Sequence, residues 1–366
     1  MTVKEICAAM NRWAPPGYAY PWDKAGLNIG SPDAKVSAVI TCLSVTSEVA
    51  KVARKRKANV IVSHHPVIWE PFKRLDLRDS HTQLCIELAS TGVHCFSAHT
   101  NLDVVHGGVN SLLAQRIGLT NPRPLFGVPH ATMLKLVTFV PEAHLHTVRR
   151  AVCEAGAGII GDYTQCSFSA PGTGTFLPGH RTNPFSGKKL EVNEEPERRL
   201  EVILPKARQT PVLLALMSAH PYEEPAFDMI PLENADESVS AGLCGVLHKA
   251  LPLEVFARQV CKALKTNHVR VAGSARKKVR TVAVFGGSGG SQIEQVPTDI
   301  DVLITGDVGY HDALAASARG LTVMDAGHCA TEKWIAEAIA IYLKRECPGV
   351  RIHPVMETEP FRVVLE

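Results

Sequence analysis

The sequence predicts an α/β protein of two strand–helix lobes with a small α+β domain inserted between them. Three observations carry this. From residue 1 to about 125, short apolar runs alternate with helix-patterned stretches, which argues for βαβ units and a parallel sheet. The alternation returns over residues 240–366. Between the two, helix and strand alternate differently and a long turn-rich stretch intervenes. The boundaries implied are a first lobe at 1–128, an insert at 129–235 and a second lobe at 236–366.

In the first lobe, Thr2–Trp13 forms a short amphipathic helix carrying Lys4 and Glu5. Lys35–Leu43 is a strand and Ser47–Lys57 a helix, followed by a β-branched strand ending at His64. Ser80–Ser90 is a helix, Val93–Ala98 a strand and Gly108–Ile117 a helix. In the insert, Leu134–Val140 and Arg199–Leu204 read as strands, His144–Ala155 and Pro211–Ser218 as helices. Pro171-Gly172-Thr173-Gly174, Pro178-Gly179 and Asn183-Pro184 read as turns. In the second lobe, strands are expected at Val279–Phe285, Asp301–Thr305 and Leu321–Met324, with a helix at Asp312–Ala318. One long helix is expected over Ala330–Lys344, its apolar face at Trp334, Ile335, Ala338, Ile339 and Tyr342.

Composition narrows the function classes. With 39 basic against 36 acidic residues the net charge is +3, which offers no electrostatic footprint for nucleic acid or a membrane surface. The dense basic clusters, Lys51–Lys57 and Arg276–Arg280, fit solvated ends of elements. The ten cysteines include no CxxC pair, a pattern of small buried side chains in a reducing compartment. No run approaches the ~20 apolar residues that span a bilayer. A cytoplasmic protein is expected.

The chemistry gathers at strand ends. His64 and His65 close an apolar strand before Pro66, where open α/β sheets place their ligands; alone, the pair reads more readily as a capped strand end than as a metal site. Asp103, a hard oxygen donor or a loop acid, follows the next strand together with His99, a group to orient a ligand. Asp325-Ala326-Gly327-His328-Cys329-Ala330-Thr331-Glu332 follows a third. His328 and Glu332 are four apart and share a helix face, and Gly327 permits close backbone approach. Together His64, His65, Asp103, His328 and Glu332 make a mixed nitrogen–oxygen donor set suited to Zn, Mn, Fe or Co. Five donors exceed one open catalytic site and suit two divalent ions. Gly286–Ser291 offers either amides for a phosphate or a tight turn. Asp307 and His311, four apart, are groups that orient metal ligands, a proton-transfer pair or a capped helix start. Cys329 is a thiolate ligand or a buried thiol. His220-Pro221-Tyr222-Glu223-Glu224 has no mechanism attached to it.

Several segments in this order resemble the GTP cyclohydrolase I type 2 homolog family, also called NIF-three-like. They are Trp22-Asp23-Lys24-Ala25-Gly26-Leu27, Ser63-His64-His65-Pro66, Ala98-His99-Thr100-Asn101-Leu102-Asp103, Gly107-Gly108-Val109-Asn110, Gly286-Gly287-Ser288-Gly289, Thr305–His311 and Gly327-His328 with Glu332. The resemblance covers nearly the whole chain. The middle segment, with Tyr163–Phe168, Gly172–Phe176 and Ala219–Pro225, resembles the PII/CutA-like domain of the family's long members. It implies a NIF-three-like fold with parallel and mixed sheets, two metal ions, chiefly zinc, on the five ligands above, and a toroidal homohexamer built as a trimer of dimers. It implies a hydrolase whose activated water opens the imidazole ring of GTP, releasing formate, or cleaves a related nucleotide or phosphoester. Glu332, His311 and His99 would be the catalytic residues. The alternative is a metal-binding regulatory protein whose insert senses a ligand without turnover. Two positions depart from the family pattern: Lys24 replaces an asparagine, and Ser44 replaces an aspartate, putting a supporting role at Ser44 in doubt.

Overall fold

The structure is a computed structural model that describes residues 1–273 and 278–364. Arg276 and Lys277 of the second basic cluster lie outside the described residues. The chain divides into two compact units, one formed by residues 1–128 with 237–366 and the other by 129–236.

The first unit begins with α1 (Val3–Trp13), whose Glu5 carboxylate accepts the Thr2 backbone N–H at 2.6 Å and so fixes the helix start. There follow β1 (Gly26–Ile29), β2 (Val39–Cys42), α2 (Ser47–Arg56), β3 (Val60–Ser63), α3 (Ser80–Ser90), β4 (His94–Ser97), α4 (Thr100–Val104), α5 (Val109–Ile117) and β5 (Thr120–Phe126). The second unit holds β6 (Thr132–Pro141), α6 (Leu145–Glu154), β7 (Phe168–Phe176), β8 (Asn193–Pro205), α7 (Gln209–Ala219) and β9 (Phe227–Ala235). The chain then returns to the first unit with β10 (Ala241–Leu251), α8 (Leu253–Leu264), β11 (Arg270–Ala272), β12 (Val279–Ser288), β13 (Val302–Gly306), α9 (Tyr310–Ala318), β14 (Thr322–Asp325), α10 (His328–Glu332), α11 (Ile335–Glu346) and β15 (Ile352–Pro354).

The first unit carries two mixed sheets. One has the order β1-β4-β3-β2-β15, parallel from β4 to β15 with β1 antiparallel at its edge. The other has the order β11-β14-β13-β12-β10-β5, parallel at its centre and antiparallel on both sides. Alternate residues of that centre enter opposite cores. Val282, Val302 and Met324 pack with Phe256 and Val260 of α8, while Ala283, Leu303 and Val323 pack with Ile293 and Ala316. Burial on both faces explains the continuous apolar runs in these strands. The buried Thr41 hydroxyl donates to the Ala336 carbonyl at 2.6 Å, tying β2 to α11.

The second unit is one antiparallel sheet, β7-β8-β6-β9. Leu134, Leu136 and Val140 of β6, with Leu200, Val202 and Leu204 of β8, pack against Val148 and Val152 of α6 and Val212 and Leu216 of α7.

The parallel and mixed sheets expected of the fold are present, with β1, β5, β10 and β11 adding the antiparallel strands. Two local expectations are corrected. Pro171-Gly172-Thr173-Gly174 is not a turn but the middle of β7; an edge strand tolerates proline because one side needs no ladder donor. The long helix over Ala330–Lys344 is two helices, α10 and α11. At the junction the ladder tightens to an i→i+3 bond, Ala336 N–H to the Lys333 carbonyl, where the Trp334 ring lies 3.2 Å beneath the Arg116 guanidinium.

Candidate metal centre

The strand ladder itself delivers the histidine pair. Beyond β3 the His64 N–H donates to the Cys42 carbonyl at 3.1 Å and the His65 N–H to Leu43 at 2.8 Å. The Ser63 hydroxyl donates to the His65 carbonyl at 2.7 Å and sets the turn. Both rings then face one site, their centroids 5.1 Å apart. Asp103 lies in α4, where Asn110 Nδ2 donates to its carbonyl at 3.0 Å. His328 and Glu332 are the first and last residues of α10, after Gly327 at φ +89°.

Glu332 is the centre of the cluster. Its Oε2 lies 3.0 Å from both His65 Nε2 and His328 Nε2. Its Oε1 lies 3.9 Å from His64 Nε2, which is 3.4 Å from Asp103 Oδ1. Each carboxylate oxygen therefore addresses a different donor set, and donor atoms of His65, His328 and Glu332, and of His64, Asp103 and Glu332, gather closely enough to hold a metal ion. A third such group is His64, His65 and His99.

Neighbours fix how the rings point. His64 Nδ1 lies 2.9 Å from the Ala98 carbonyl oxygen, an acceptor only, so Nδ1 carries the hydrogen and Nε2 offers its lone pair. Asp307 Oδ2 accepts from His328 Nδ1 at 2.6 Å, and Asp307 holds a left-handed φ of +53° to do so. Asp23 Oδ1 accepts from His99 Nδ1 at 2.8 Å. Ser44 Oγ is 2.9 Å from His65 Nδ1, and the Ser44 N–H donates to Glu357 Oε1 at 2.6 Å. Ser44 thus supports a ring despite lacking the aspartate's charge, which answers the doubt its departure raised.

The electrostatics fit a cation. His64 is fully buried; burial pushes its pKa down to about 3 against the pull of Glu332. Burial, then the charges of Glu332 and Asp23, hold Asp103 well above the usual carboxylate range. Burial works against the charge of His328 also, but Glu332 and Asp307 outweigh it and raise it to about 10. Burial likewise opposes the Glu332 charge, yet hydrogen bonds from His328 and His65 carry it well below the usual range. His64 Nε2 and Asp103 Oδ1 are buried without a hydrogen-bond partner. Such orphans are costly unless a further group satisfies both, and an imidazole lone pair facing a carboxylate oxygen suits a divalent cation, whose charge would offset what raises Asp103. The residues present fit the metal that the donor set implies.

A family pattern described as Duf34/NIF3 (NGG1p interacting factor 3) matches residues 1–360. The chain belongs to the Duf34/NIF3 family. Among NIF3-family relatives, a Halalkalibacterium halodurans protein named GTP cyclohydrolase 1 type 2 homolog is 39% identical over 324 residues, 88% of this chain and 87% of that protein. A Bacillus subtilis protein of the same name is 35% identical over 364 residues, 98% of this chain and 97% of its own length. The crystal structure of a Bacillus cereus protein related to NIF3 is 37% identical, covers 100% of this chain and 99% of its own, and superposes with a TM-score of 0.87.

In this NIF3-family chain the structure brings together His64, His65, His99, Asp103, His328 and Glu332. His311 is elsewhere: it is exposed in the first turn of α9, its ring against Tyr310. The glycine-rich segment is not a phosphate cradle. β12 runs on to Ser288, and the amides of Gly286, Gly287 and Gly289 donate to Asn110, Thr331 and Thr305 side chains. Its glycines admit Glu332 instead: a Cβ on Gly287, at φ +65°, would lie 2.1 Å from Glu332 Oε1. Cys329 belongs to no metal group among the described residues, and burial pushes its thiol up to about 11. His220 uses both ring nitrogens, Nε2 on the Phe139 carbonyl and Nδ1 on the Tyr222 N–H, and so fixes a loop. Asp23, Asp307, Ser44 and Glu357 are the supporting residues. Asp23 and Asp307 sat inside the family-like motifs, whereas nothing local marks Glu357.

Proposed function

We propose that this protein is a hydrolase with two divalent ions, one on His64, Asp103 and Glu332 and the other on His65, His328 and Glu332. The single observation that carries this reading is Glu332, buried, with its two oxygens turned to separate donor sets. Divalent ions in such a site act as Lewis acids and bring the pKa of water toward neutrality. The chain's own residues do the rest. His64 stays neutral, so its Nε2 lone pair is available throughout the physiological range. Asp307 and Asp23 hold the Nδ1 hydrogens of His328 and His99 and orient both rings. His99 Nε2 is the candidate proton acceptor, because the buried Asp23 carboxylate would stabilise the imidazolium formed. His311, exposed on α9, takes no part in this scheme. The relatives named GTP cyclohydrolase 1 type 2 homolog favour GTP as the substrate. The ten free cysteines favour a cytosolic setting. Assembly as a homohexamer is part of the proposal and is read by light scattering.

The deciding experiment is elemental analysis of protein purified with metal supplementation, followed by turnover assays on GTP, dinucleotides and simple phosphoesters. The expected result is about two ions per chain and release of formate or phosphate that Glu332→Gln abolishes. Fewer than one ion per chain refutes the site, since a preformed donor set retains its metal. Stoichiometric metal without turnover refutes the hydrolase and leaves a metal-binding regulatory protein.

A further inference from the structure

Two tryptophans stand exposed beside the cluster, Trp22 at 53% and Trp69 at 43%. Tryptophan is highly buried on average, and two exposed indoles in contact form an apolar patch that water covers at a cost. They do not stack on each other. Their rings are 5.8 Å apart and inclined by 59°, so they form a notch. His99 closes it: its ring lies 5.6 Å from Trp69 at 90° and 6.4 Å from Trp22 at 73°. The same imidazole lies 5.1 Å from the His64 ring and 5.7 Å from the His65 ring. The notch therefore opens within one side chain of the candidate metal centre.

The notch is held in place. Tyr20 stacks on Trp22 at 5.6 Å and 17°, which steadies an indole that is still 53% exposed. Asp23, next in sequence, has a wholly buried side chain that accepts from His99 Nδ1 and from the Thr100 N–H at 3.0 Å. The Tyr20 N–H donates to Thr100 Oγ1 at 3.0 Å. A preordered aromatic surface binds a flat partner with little further loss of conformational freedom.

We propose that Trp22 and Trp69 form a stacking subsite for a planar heteroaromatic ring of the nucleobase class, which places that ring against His99 beside the metal cluster. The proposal rests on the hydrolase reading for its location and adds to it the part of the substrate that is recognised. Stacking tolerates any base because every base has a π-face, so the subsite selects ring over no ring rather than one base over another.

The test is calorimetric titration of the full-length, metal-loaded protein with guanosine 5′-monophosphate, adenosine 5′-monophosphate and ribose 5-phosphate. Both nucleotides are expected to bind, and the ringless sugar phosphate roughly 5- to 150-fold more weakly, the range for loss of one base–aromatic stack. Trp22→Ala and Trp69→Ala should each weaken the nucleotides within that range without weakening ribose 5-phosphate. Trp22→Phe and Trp69→Phe should restore most of the loss, which a merely structural role would not require; thermal melts confirm that each variant is folded. Equal affinity for ringed and ringless ligands, no nucleotide binding, or unaltered nucleotide affinity in both alanine variants overturns the proposal. So does a change of assembly mass in those variants with affinity unaltered, which would make the notch a contact between copies of the chain. Base-dependent binding without turnover leaves the subsite standing and removes the hydrolase; turnover indifferent to the ring does the reverse.

Discussion

Gly287→Ala probes how tightly the backbone closes on the candidate metal centre. The added methyl would lie 2.1 Å from Glu332 Oε1 and 3.3 Å from His328 Nε2. Ordinary contact needs about 3.5 Å, so the carboxylate must retreat by roughly 1.4 Å. Glu332 is 5% exposed and already wedged between His65 and His328, so it cannot retreat and keep both 3.0 Å contacts. A hydrogen bond to a charged group is worth about 1.5–3 kcal/mol, and a positive φ costs alanine about 1 kcal/mol more than glycine. The variant should lose about 2.5–4 kcal/mol, or roughly 5–16 °C in Tm at about 2–4 °C per kcal/mol. Its metal content should fall by more than half. Gly320→Ala is the control, because Gly320 has a similar φ of +69° but nothing within 4 Å of its Cβ. That change should cost about 1 kcal/mol, about 2–4 °C, and leave metal content alone. Differential scanning calorimetry with elemental analysis reads both quantities. If the two variants behave alike, Glu332 is not held by the Gly287 backbone and the geometry given for it is wrong.

Other perturbations separate the roles within the cluster. In metal-free protein His64 titrates near 3, whereas the unfolded chain protonates near 6.5; the unfolded state binds more protons below pH 6.5, so stability falls from there toward pH 3. The slope should reach about 1.4 kcal/mol per pH unit in urea melts and flatten in His64→Gln. His328, raised to about 10, has the opposite sign: its contribution is full below pH 6.5 and is lost as pH rises through 10. Since metal must displace that proton, apparent metal affinity should climb with pH over the same window. Asp23→Asn should lower stability by about 1.5–3 kcal/mol through its bond to the His99 ring while metal stoichiometry survives; loss of metal would make His99 a ligand. Cys329, pushed up to about 11, should resist iodoacetamide at pH 7.5, and Cys329→Ser should retain full metal content.

The residues of the cluster were legible because each follows an apolar strand, and parallel strands deliver their carboxyl ends to one edge. What the sequence could not give was which atoms meet. Glu332 and His328 share a helix face by spacing alone, but His65 joins them across 267 residues of chain, a separation no local pattern encodes. His311 shows the same limit: spacing from Asp307 indicates that the two could pair, not that α9 leaves His311 exposed. The glycine-rich segment looked like a phosphate loop because glycine marks close approach without naming what approaches, which here is a side chain. The edge strand β15 was missed because its register is set by β2 at the other end of the chain, and β7 because its proline and glycines carry turn signals although it pairs with the next strand.

The pairing of β15 with β2 has a consequence for how the protein is made. β2 spans residues 39–42 and β15 residues 352–354, so during synthesis the parallel ladder beside β2 waits for nearly the whole chain. Until then β2 is an open, fully buried-type strand at a sheet edge, an invitation to pair with a neighbouring nascent chain. Translation at about 5–20 residues per second makes that wait some tens of seconds. A ribosome stalled after β14 would therefore present a sheet with four of its five strands and its His64–His65 end made and its closing strand still unmade, a natural substrate for a holding chaperone.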